Sequence, residues 1–359
     1  MWTAGFHRTS LSLLLYCGAM VWPGRWLPVA EAAKPEAIPA TTSDVGERAE
    51  LFIALLKRRA QRILEARRAP PPPLVSASAG VSEGYEGNVN LDGARRGDSF
   101  TEETLSLIVG PRIASWLRGE FTYNVVNTHF QEFTDSNLWM NVLGSTFQVQ
   151  PHRAVRLDLG YEYGILNFPF DSDSSFVDHR VKAHVVLAQA AWLWHKMGWT
   201  YQSREYDTRK ARDADGNALA GVNRHDDRHV GSYELQLRFP KTSARIGGEF
   251  YRNFSNERFQ DFYDWDDVRV RAVLTRVFHP DWLGTLTASH EHRNYHRRNV
   301  PAINRAERDS LITVAGSLIY QLTPHAALTS SLTYRYQDSN DPRLDFTDWL
   351  SQIGVTVGF

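Results

Sequence analysis

Apolar and polar residues alternate along most of the chain between residues 74 and 359. In residues 155–165, every second position is aliphatic or aromatic, and charged residues or glycines lie between them. A period of two is typical of β-strands that have one apolar and one polar face. The alternation therefore predicts an all-β fold for this part of the sequence.

Polar interruptions divide this region into segments, and the interruptions are alternately short and long. Short turns are predicted at residues 111–115, 150–153, 194–197, 240–242, 279–281 and 323–325. Long connections are predicted at residues 91–99, 131–136, 169–174, 208–228, 256–261, 297–307 and 340–345. Six short and seven long connections imply fourteen strands, so both ends of the region lie on the same side. This arrangement is expected of a transmembrane antiparallel up-and-down β-barrel.

The aromatic residues distinguish a membrane barrel from a soluble β-sandwich, which would also alternate. One group lies several residues beyond a short turn, on the apolar strand faces: Tyr123, Tyr161, Tyr163, Tyr201, Tyr334 and Tyr336. A second group lies at the short-turn end: Trp116, Trp194, Trp282 and Phe359. About eight residues of a tilted strand climb roughly 20 Å, so the two groups predict aromatic girdles at two membrane interfaces.

The last segment, residues 346–359, ends the chain on an aromatic residue. Its apolar face carries Trp349, Ile353, Val355, Val357 and Phe359. Four residues of this segment are Gln352, Gly354, Val357 and Phe359. Their types and relative positions resemble the sorting signal that the outer-membrane barrel assembly machinery recognises on its client proteins. The sequence thus predicts outer-membrane lipid and this assembly machinery as partners.

The region before the barrel has two predicted parts. Residues 1–32 combine a basic start, an apolar run and small residues, which is typical of a secretory signal peptide. Residues 33–73 contain a linker, an amphipathic helix at 44–68 with a basic second half, and a proline run that ends the helix. We interpret the helix either as a docking element or plug that enters the pore, or as a tether packed on the barrel rim.

Composition excludes several classes of protein. No run of about 18 apolar residues occurs outside the N-terminus, which excludes a bundle of membrane-spanning helices. The only cysteine, Cys17, lies in the predicted signal peptide, so no disulfide is expected in the mature protein. The formal net charge of -1 indicates no nucleic-acid partner and names no other.

The polar faces of the predicted strands are rich in basic residues. Eleven are assigned to the barrel interior as pore-lining residues: Arg118, Arg156, Arg180, Lys182, Arg204, Arg238, Arg245, Arg269, Arg271, Arg293 and Arg335. Six acidic residues are assigned to the same surface: Glu120, Asp158, Glu162, Glu234, Glu249 and Glu291. The positive excess predicts a pore that favours anions, such as an acidic polysaccharide. The alternative is an internal ladder of salt bridges that closes the pore.

Catalytic and metal-binding motifs are weak. His290 and His292 flank Glu291 on an apolar face, which favours interfacial histidines over a zinc site. No serine motif supports a lipid hydrolase, because Ser330 belongs to a different strand pair from these histidines. Residues 213–217 resemble half of a calcium loop but lack its distal glutamate, so a turn is favoured. No enzymatic activity, metal or cofactor is therefore predicted.

The first predicted hairpin resembles a known family. Residues 84–90, GYEGNVN, followed by Asp98, Ser99 and Phe100, are similar to the opening of β-barrel porins that are often found with exopolysaccharide genes. The resemblance implies an outer-membrane pore for polysaccharide export, with a periplasmic N-terminus, a periplasmic export component as partner and no catalytic residue. Related openings occur in barrels that export surface lipoproteins. A non-conducting structural or assembly barrel for lipoprotein placement is therefore the alternative.

Overall fold

The computed structural model describes residues 74–91, 95–213, 216–256, 261–300 and 303–358, and they form one closed antiparallel sheet. The strands are β1 (Val75–Glu86), β2 (Asp98–Val109), β3 (Arg112–Ala114), β4 (Leu117–Phe130), β5 (Leu138–His152), β6 (Val155–Asn167), β7 (Phe176–Ala190), β8 (Leu193–Arg212), β9 (Ala218–Arg238), β10 (Thr242–Ser255), β11 (Trp265–His279), β12 (Trp282–Val300), β13 (Arg305–Thr323), β14 (Ala326–Ser339) and β15 (Phe346–Gly358). Fourteen long strands form the wall, and the three-residue β3 lies in the turn between β2 and β4. The predicted fourteen-stranded barrel is confirmed.

The barrel closes because its first and last strands pair with each other. β1 pairs with β15 from Ser78 opposite Gly358 to Glu86 opposite Leu350. β2 pairs with β1 on one side and with β4 on the other. Every long strand therefore has two hydrogen-bonded neighbours, and no edge with unpaired backbone groups is left.

The outer surface of the wall is apolar. Large hydrophobic side chains are about half exposed in the middle of many strands, among them Leu143 at 53%, Val270 at 53% and Ile353 at 56%. Water-soluble monomers rarely expose contiguous apolar surfaces of this extent. A closed barrel with an apolar exterior and a polar interior is suited to a lipid environment.

Among the described residues, no helix is long and apolar enough to cross a membrane. Four short 3₁₀ turns lie in long connections: Thr134–Ser136, Ser172–Ser174, Asp261–Tyr263 and Pro342–Leu344. The predicted signal peptide, the predicted helix at 44–68, the proline run and Phe359 all lie outside the described residues.

Four predicted connections are wrong, because they lie largely inside strands. Residues 150–152 of the turn predicted at 150–153 belong to β5. Residues 194–197 belong to β8, and the turn falls between Ala190 and Leu193. Most of 208–228 belongs to β8 and β9, and most of 297–307 belongs to β12 and β13. The two long extensions, at 208–228 and 297–307, carry polar residues on both faces, so apolar alternation does not reveal them. They are held instead by contacts such as the ion pair of Arg224 with Asp226, at 2.6 Å.

Candidate functional site

The candidate site is the barrel interior, which is defined by alternating exposure along each strand. On β6, Tyr161 is 43% exposed on the outside, whereas Asp158 is buried on the inside. The same alternation places the eleven basic side chains assigned from the sequence on the inner face. Eight of them form ion pairs with carboxylates: Arg156, Arg180, Lys182, Arg204, Arg269, Arg271, Arg293 and Arg335.

On β6 and β7 the ion pairs are short. Arg156 donates two hydrogen bonds to Asp158, at 2.7 and 3.0 Å. Lys182 Nζ lies 2.6 Å from Glu162 Oε2, and Arg180 Nε lies 2.6 Å from Asp178 Oδ2. Charges held this way attract mobile ions less than free charges do, because each is largely neutralised by its partner.

Glycine allows one ion pair to cross an intervening strand. Gly247 on β10 lies in register with Glu234 on β9 and with Arg271 on β11. Because no side chain stands between them, Arg271 Nη2 reaches within 3.7 Å of Glu234 Oε2. A Cβ atom at Gly247 would lie only 2.8 Å from the backbone oxygen of Tyr233, so a larger residue does not fit without a shift.

Three of the assigned basic residues have no carboxylate partner within the part of the chain that is described. Arg245 is only 8% exposed. Arg238 donates a hydrogen bond to Gln236 and lies 4.0 Å from the ring centroid of Trp194. This contact also places Trp194 against an inner-face residue, so the assignment of Trp194 to the lipid-facing aromatic girdle at the short-turn end is wrong. Arg118 completes the set, and all three lie towards the short-turn end of their strands.

The positive excess predicted for the interior largely disappears in the structure. Sequence analysis missed several buried carboxylates, which are Glu86, Asp178, Asp226, Asp267, Asp309 and Asp348. It also missed buried Arg224 and Arg228. Asp178 and Asp267 occupy the same alternating face as Arg180 and Arg269, so extending the period by one step would have found them.

A stack of arginines and aromatic rings fills part of the long-loop end. Trp265 is 1% exposed and lies between Arg228 and Arg293, whose Cζ atoms are 4.8 and 4.2 Å from a Trp265 ring centroid. Arg224 lies 3.9 Å from the ring centroid of Tyr263. Such contacts strengthen when they are desolvated. No spacing rule in the sequence indicates this stack, because its members come from separate strands and a loop.

Apolar residues that point inwards close more of the same end. One cluster contains Val126, Leu138, Met140, Leu166, Phe176 and Tyr206, and another contains Phe100, Phe130 and Leu350. These residues interrupt the polar inner face near the long connections. The described interior is therefore a packed layer at the long-loop end rather than a uniformly wide channel.

A cavity lies inside the wall formed by β12 to β15, β1, β2 and β4. About 1070 Å³ of this space is free of protein atoms, and part of it is open to solvent. Small hydroxyl and amide side chains make up most of its polar lining: Ser78, Ser82, Thr104, Ser106, Asn124, Thr285, Thr287, Ser317, Thr329, Ser331, Thr333, Gln352 and Thr356. Of the described residues in the lining, Glu102 alone is charged. We name this space the hydroxyl cavity.

The remaining candidates from the sequence have local explanations. His290 and His292 are exposed on the outer face, and His290 Nε2 lies 2.8 Å from Ser310 Oγ. Among the described residues, no group of three or more metal-ligating side chains is present. Asp213 accepts a hydrogen bond from the Asn217 backbone at 2.8 Å, which fits a turn.

The residues of the predicted assembly signal divide between the two faces of β15. Gln352 and Gly354 are buried on the inner face, whereas Val355 is exposed on the outer face. Val357 is half-buried and alternates with Gly358, and Phe359 lies outside the described residues. Whether these residues act as a signal stays a prediction.

The fold and its surfaces define the class of protein as a transmembrane β-barrel. No protein-family model matches the sequence, and no curated protein sequence is significantly similar to it. The anion-selective porin from Comamonas acidovorans is similar in fold at 8% identity and a TM-score of 0.46, over 79% of this chain and 98% of that chain. OprB of Pseudomonas putida is similar at 10% identity and a TM-score of 0.45, over 79% of this chain and 94% of that chain. A bacterial polysaccharide outer-membrane secretin is similar at 10% identity and a TM-score of 0.43, over 79% of this chain and 98% of that chain. Similarities at this level assign no function.

Proposed function

We propose that this protein is a passive outer-membrane pore for hydrophilic solutes, with export of a polysaccharide as its specific role. The observation that carries the proposal is the hydroxyl cavity inside a closed wall whose outer surface is apolar. Closed antiparallel barrels are the form in which strands cross the outer membrane. A passive pore carries out no chemical step, which agrees with the weak catalytic motifs.

The orientation follows from the connections. Both described ends of the chain, Leu74 and Gly358, lie at the short-turn end of the barrel. Outer-membrane barrels place short turns in the periplasm and longer loops outside. We therefore assign the N-terminal region to the periplasm, where an export component would meet the short-turn mouth.

A second candidate is a non-conducting structural or assembly barrel, for example one that places surface lipoproteins. The packed long-loop end favours it, because Trp265, Phe176, Phe100 and Leu350 are each at most 4% exposed inside the wall. The many interior ion pairs also suit a barrel that is stiff rather than open.

Conductance in a planar bilayer distinguishes the two candidates. The purified wild-type protein is expected to conduct, and Trp265→Ala is expected to increase conductance because it removes the centre of the arginine and aromatic stack. Trp349→Ala is the matched control, since Trp349 is 53% exposed on the outer face. Heat-modifiable migration on gels would verify that each variant is folded.

If neither the wild-type protein nor folded Trp265→Ala conducts, the pore proposal fails and the structural barrel becomes the better account. If the outer-face control raises conductance as much as Trp265→Ala does, the stack does not restrict the path.

A further inference from the structure

Four polar side chains of the hydroxyl cavity form a row across adjacent strands. Gln352 on β15 lies in register with Ser331 on β14, Ser331 with Ser317 on β13, and Ser317 with Thr285 on β12. Neighbouring strands are about 4.8 Å apart, so the row presents a hydrogen-bonding group at each such interval. Thr287 lies one inner-face position further along β12 and also lines the cavity.

Three polar atoms, two in this row and one on the adjacent Thr287, are buried without a hydrogen-bond partner among the described residues. They are Thr287 Oγ1, Ser331 Oγ and Gln352 Oε1. Thr287 is 0% exposed and Gln352 is 6% exposed. A buried polar group without a partner is costly, and most such groups in native proteins are bonded. The residues that carry these three atoms all line the same cavity, so a ligand bound there can supply the missing bonds after a small rotation of each side chain.

The other side of Gln352 is already fixed. Its Nε2 donates to Ser82 Oγ at 2.6 Å and to Glu102 Oε1 at 3.1 Å. These two bonds orient the amide, so that Oε1 is left as an acceptor. Among the described residues of the lining, Glu102 is the only charged group, and none is a lysine or an arginine.

This chemistry favours an uncharged ligand rich in hydroxyl groups. Each sugar hydroxyl is both a donor and an acceptor, so it can pair with the Gln352 carbonyl and with serine or threonine hydroxyls. A carboxylated or sulfated sugar finds no cationic side chain among the described lining residues, and it meets the negative charge of Glu102. The paired arginines of the interior lie on other parts of the wall, mainly on β6 to β11.

We propose that the hydroxyl cavity is a binding site for neutral saccharide units, contacted by Thr287, Ser331 and Gln352. The inference rests on the proposed function and narrows its solute from any polysaccharide, including an acidic one, to an uncharged one. The saccharide would bind beside the row and move from one hydrogen-bonding group to the next, because single hydrogen bonds between neutral groups are weak.

Binding is tested on the purified barrel in detergent micelles by saturation-transfer NMR. Maltotriose serves as the neutral probe and trigalacturonate as an acidic probe of similar size. Thr287→Val keeps the side-chain shape and removes the hydroxyl. Ser331→Ala removes the serine hydroxyl and leaves a side chain that is smaller by one heavy atom. Neither hydroxyl has a hydrogen-bond partner in the described part of the chain, so both variants are expected to fold. Thr313→Val on β13 is the matched control, since Thr313 is buried on the inner face outside the cavity lining.

We expect maltotriose to bind more tightly than trigalacturonate. Each hydroxyl removed should weaken binding of maltotriose about five-fold, and the double variant more strongly, whereas Thr313→Val should bind like the wild type. Equal binding by the double variant, or tighter binding of the acidic probe, would overturn the proposal.

The experiment separates this inference from the proposed function because binding in micelles requires no conduction. Binding that depends on Thr287 and Ser331 in a protein that does not conduct would support the site and reject the pore. Conduction with binding that is indifferent to both variants would support the pore and reject the site.

Discussion

Arg335 shows how a single interior charge is used in this barrel. It is 0% exposed and lies between two buried carboxylates, Asp348 and Glu86. Its Nε donates to Asp348 Oδ2 at 2.8 Å, and its Nη2 contacts both acids. The assignment of Arg335 to the pore lining is therefore incomplete, because the side chain is occupied by ion pairs.

Replacing Arg335 should destabilise the barrel strongly. Arg335→Ala leaves two carboxylates buried without a counter-charge, which costs about 3–5 kcal/mol. Guanidinium unfolding, followed by heat-modifiable migration, measures the loss. Arg252→Ala is the control, because its 3.7 Å pair with Asp266 is exposed and should contribute less than about 1 kcal/mol. Similar losses in both variants would show that the buried pair is not special.

Asp341, which lies in a loop outside the membrane-spanning strands, makes the stability of that loop depend on pH. Hydrogen bonds from the Arg343 side chain and backbone lower the pKa of Asp341 below its ordinary value of 3.8. The ionised form is thus favoured in the folded loop, so its contribution is present above pH 3.8 and is lost as the pH falls through the lower folded value. Asp341→Asn should loosen the Pro342–Leu344 turn at neutral pH.

Trypsin cleavage after Arg343 measures this loosening. The wild-type loop should resist cleavage at neutral pH, and the Asp341→Asn loop should be cut faster. Asp338→Asn is a useful control, since Asp338 is exposed in the adjoining strand end. Cleavage at equal rates would mean that the carboxylate does not hold the turn.

At the scale of the strand, β6 provides a direct test of the register. Tyr161 is exposed outside and Glu162 forms an ion pair inside, so a shift of one residue would exchange them. Cysteines placed at positions 161 and 162 should differ in labelling by a membrane-impermeant thiol reagent, with position 162 labelled more. Preferential labelling of position 161 would contradict the register.

Strand number was predictable from the sequence because each strand crosses an apolar layer. Within that layer one face must be apolar, as Leu157 and Leu159 show against Arg156 and Asp158 on β6. Beyond the apolar layer, neither face of a strand has to be apolar. The extension of β9 around Arg224 is polar on both faces, so it looked like a loop in the sequence.

The interior contacts were harder to predict than the strands. Alternation gives the face of Arg293, but it does not give the register that brings Arg293 beside Asp267 and Trp265. The hydroxyl cavity is likewise a product of register, since its row joins residues from four strands. Small polar residues such as Ser331 carry no sequence signal that separates a binding row from an ordinary polar face.

The whole barrel separates two kinds of interior surface. Most ion pairs lie on β6 to β12, whereas the hydroxyl cavity lies on β12 to β15, β1, β2 and β4. The basic side chains that have no carboxylate partner among the described residues, Arg118, Arg238 and Arg245, lie towards the short-turn end. Any preference for anions should therefore arise at that mouth rather than along the ladder of paired charges.

This difference gives a prediction for ion selectivity. Because eight of the eleven assigned basic groups are neutralised by carboxylates, the double variant Arg238→Ala with Arg245→Ala should remove most of the anion preference. One unit charge at about 4 Å in water contributes roughly 1 kcal/mol, which corresponds to about five-fold, so removing two charges should lower the anion-to-cation permeability ratio several-fold. The reversal potential across a bilayer in a salt gradient measures this ratio. Arg252→Ala, on the outer face, should leave it unchanged. An unaltered ratio in the double variant would place the selectivity in the ion-pair ladder, and the short-turn mouth would then be only an entrance.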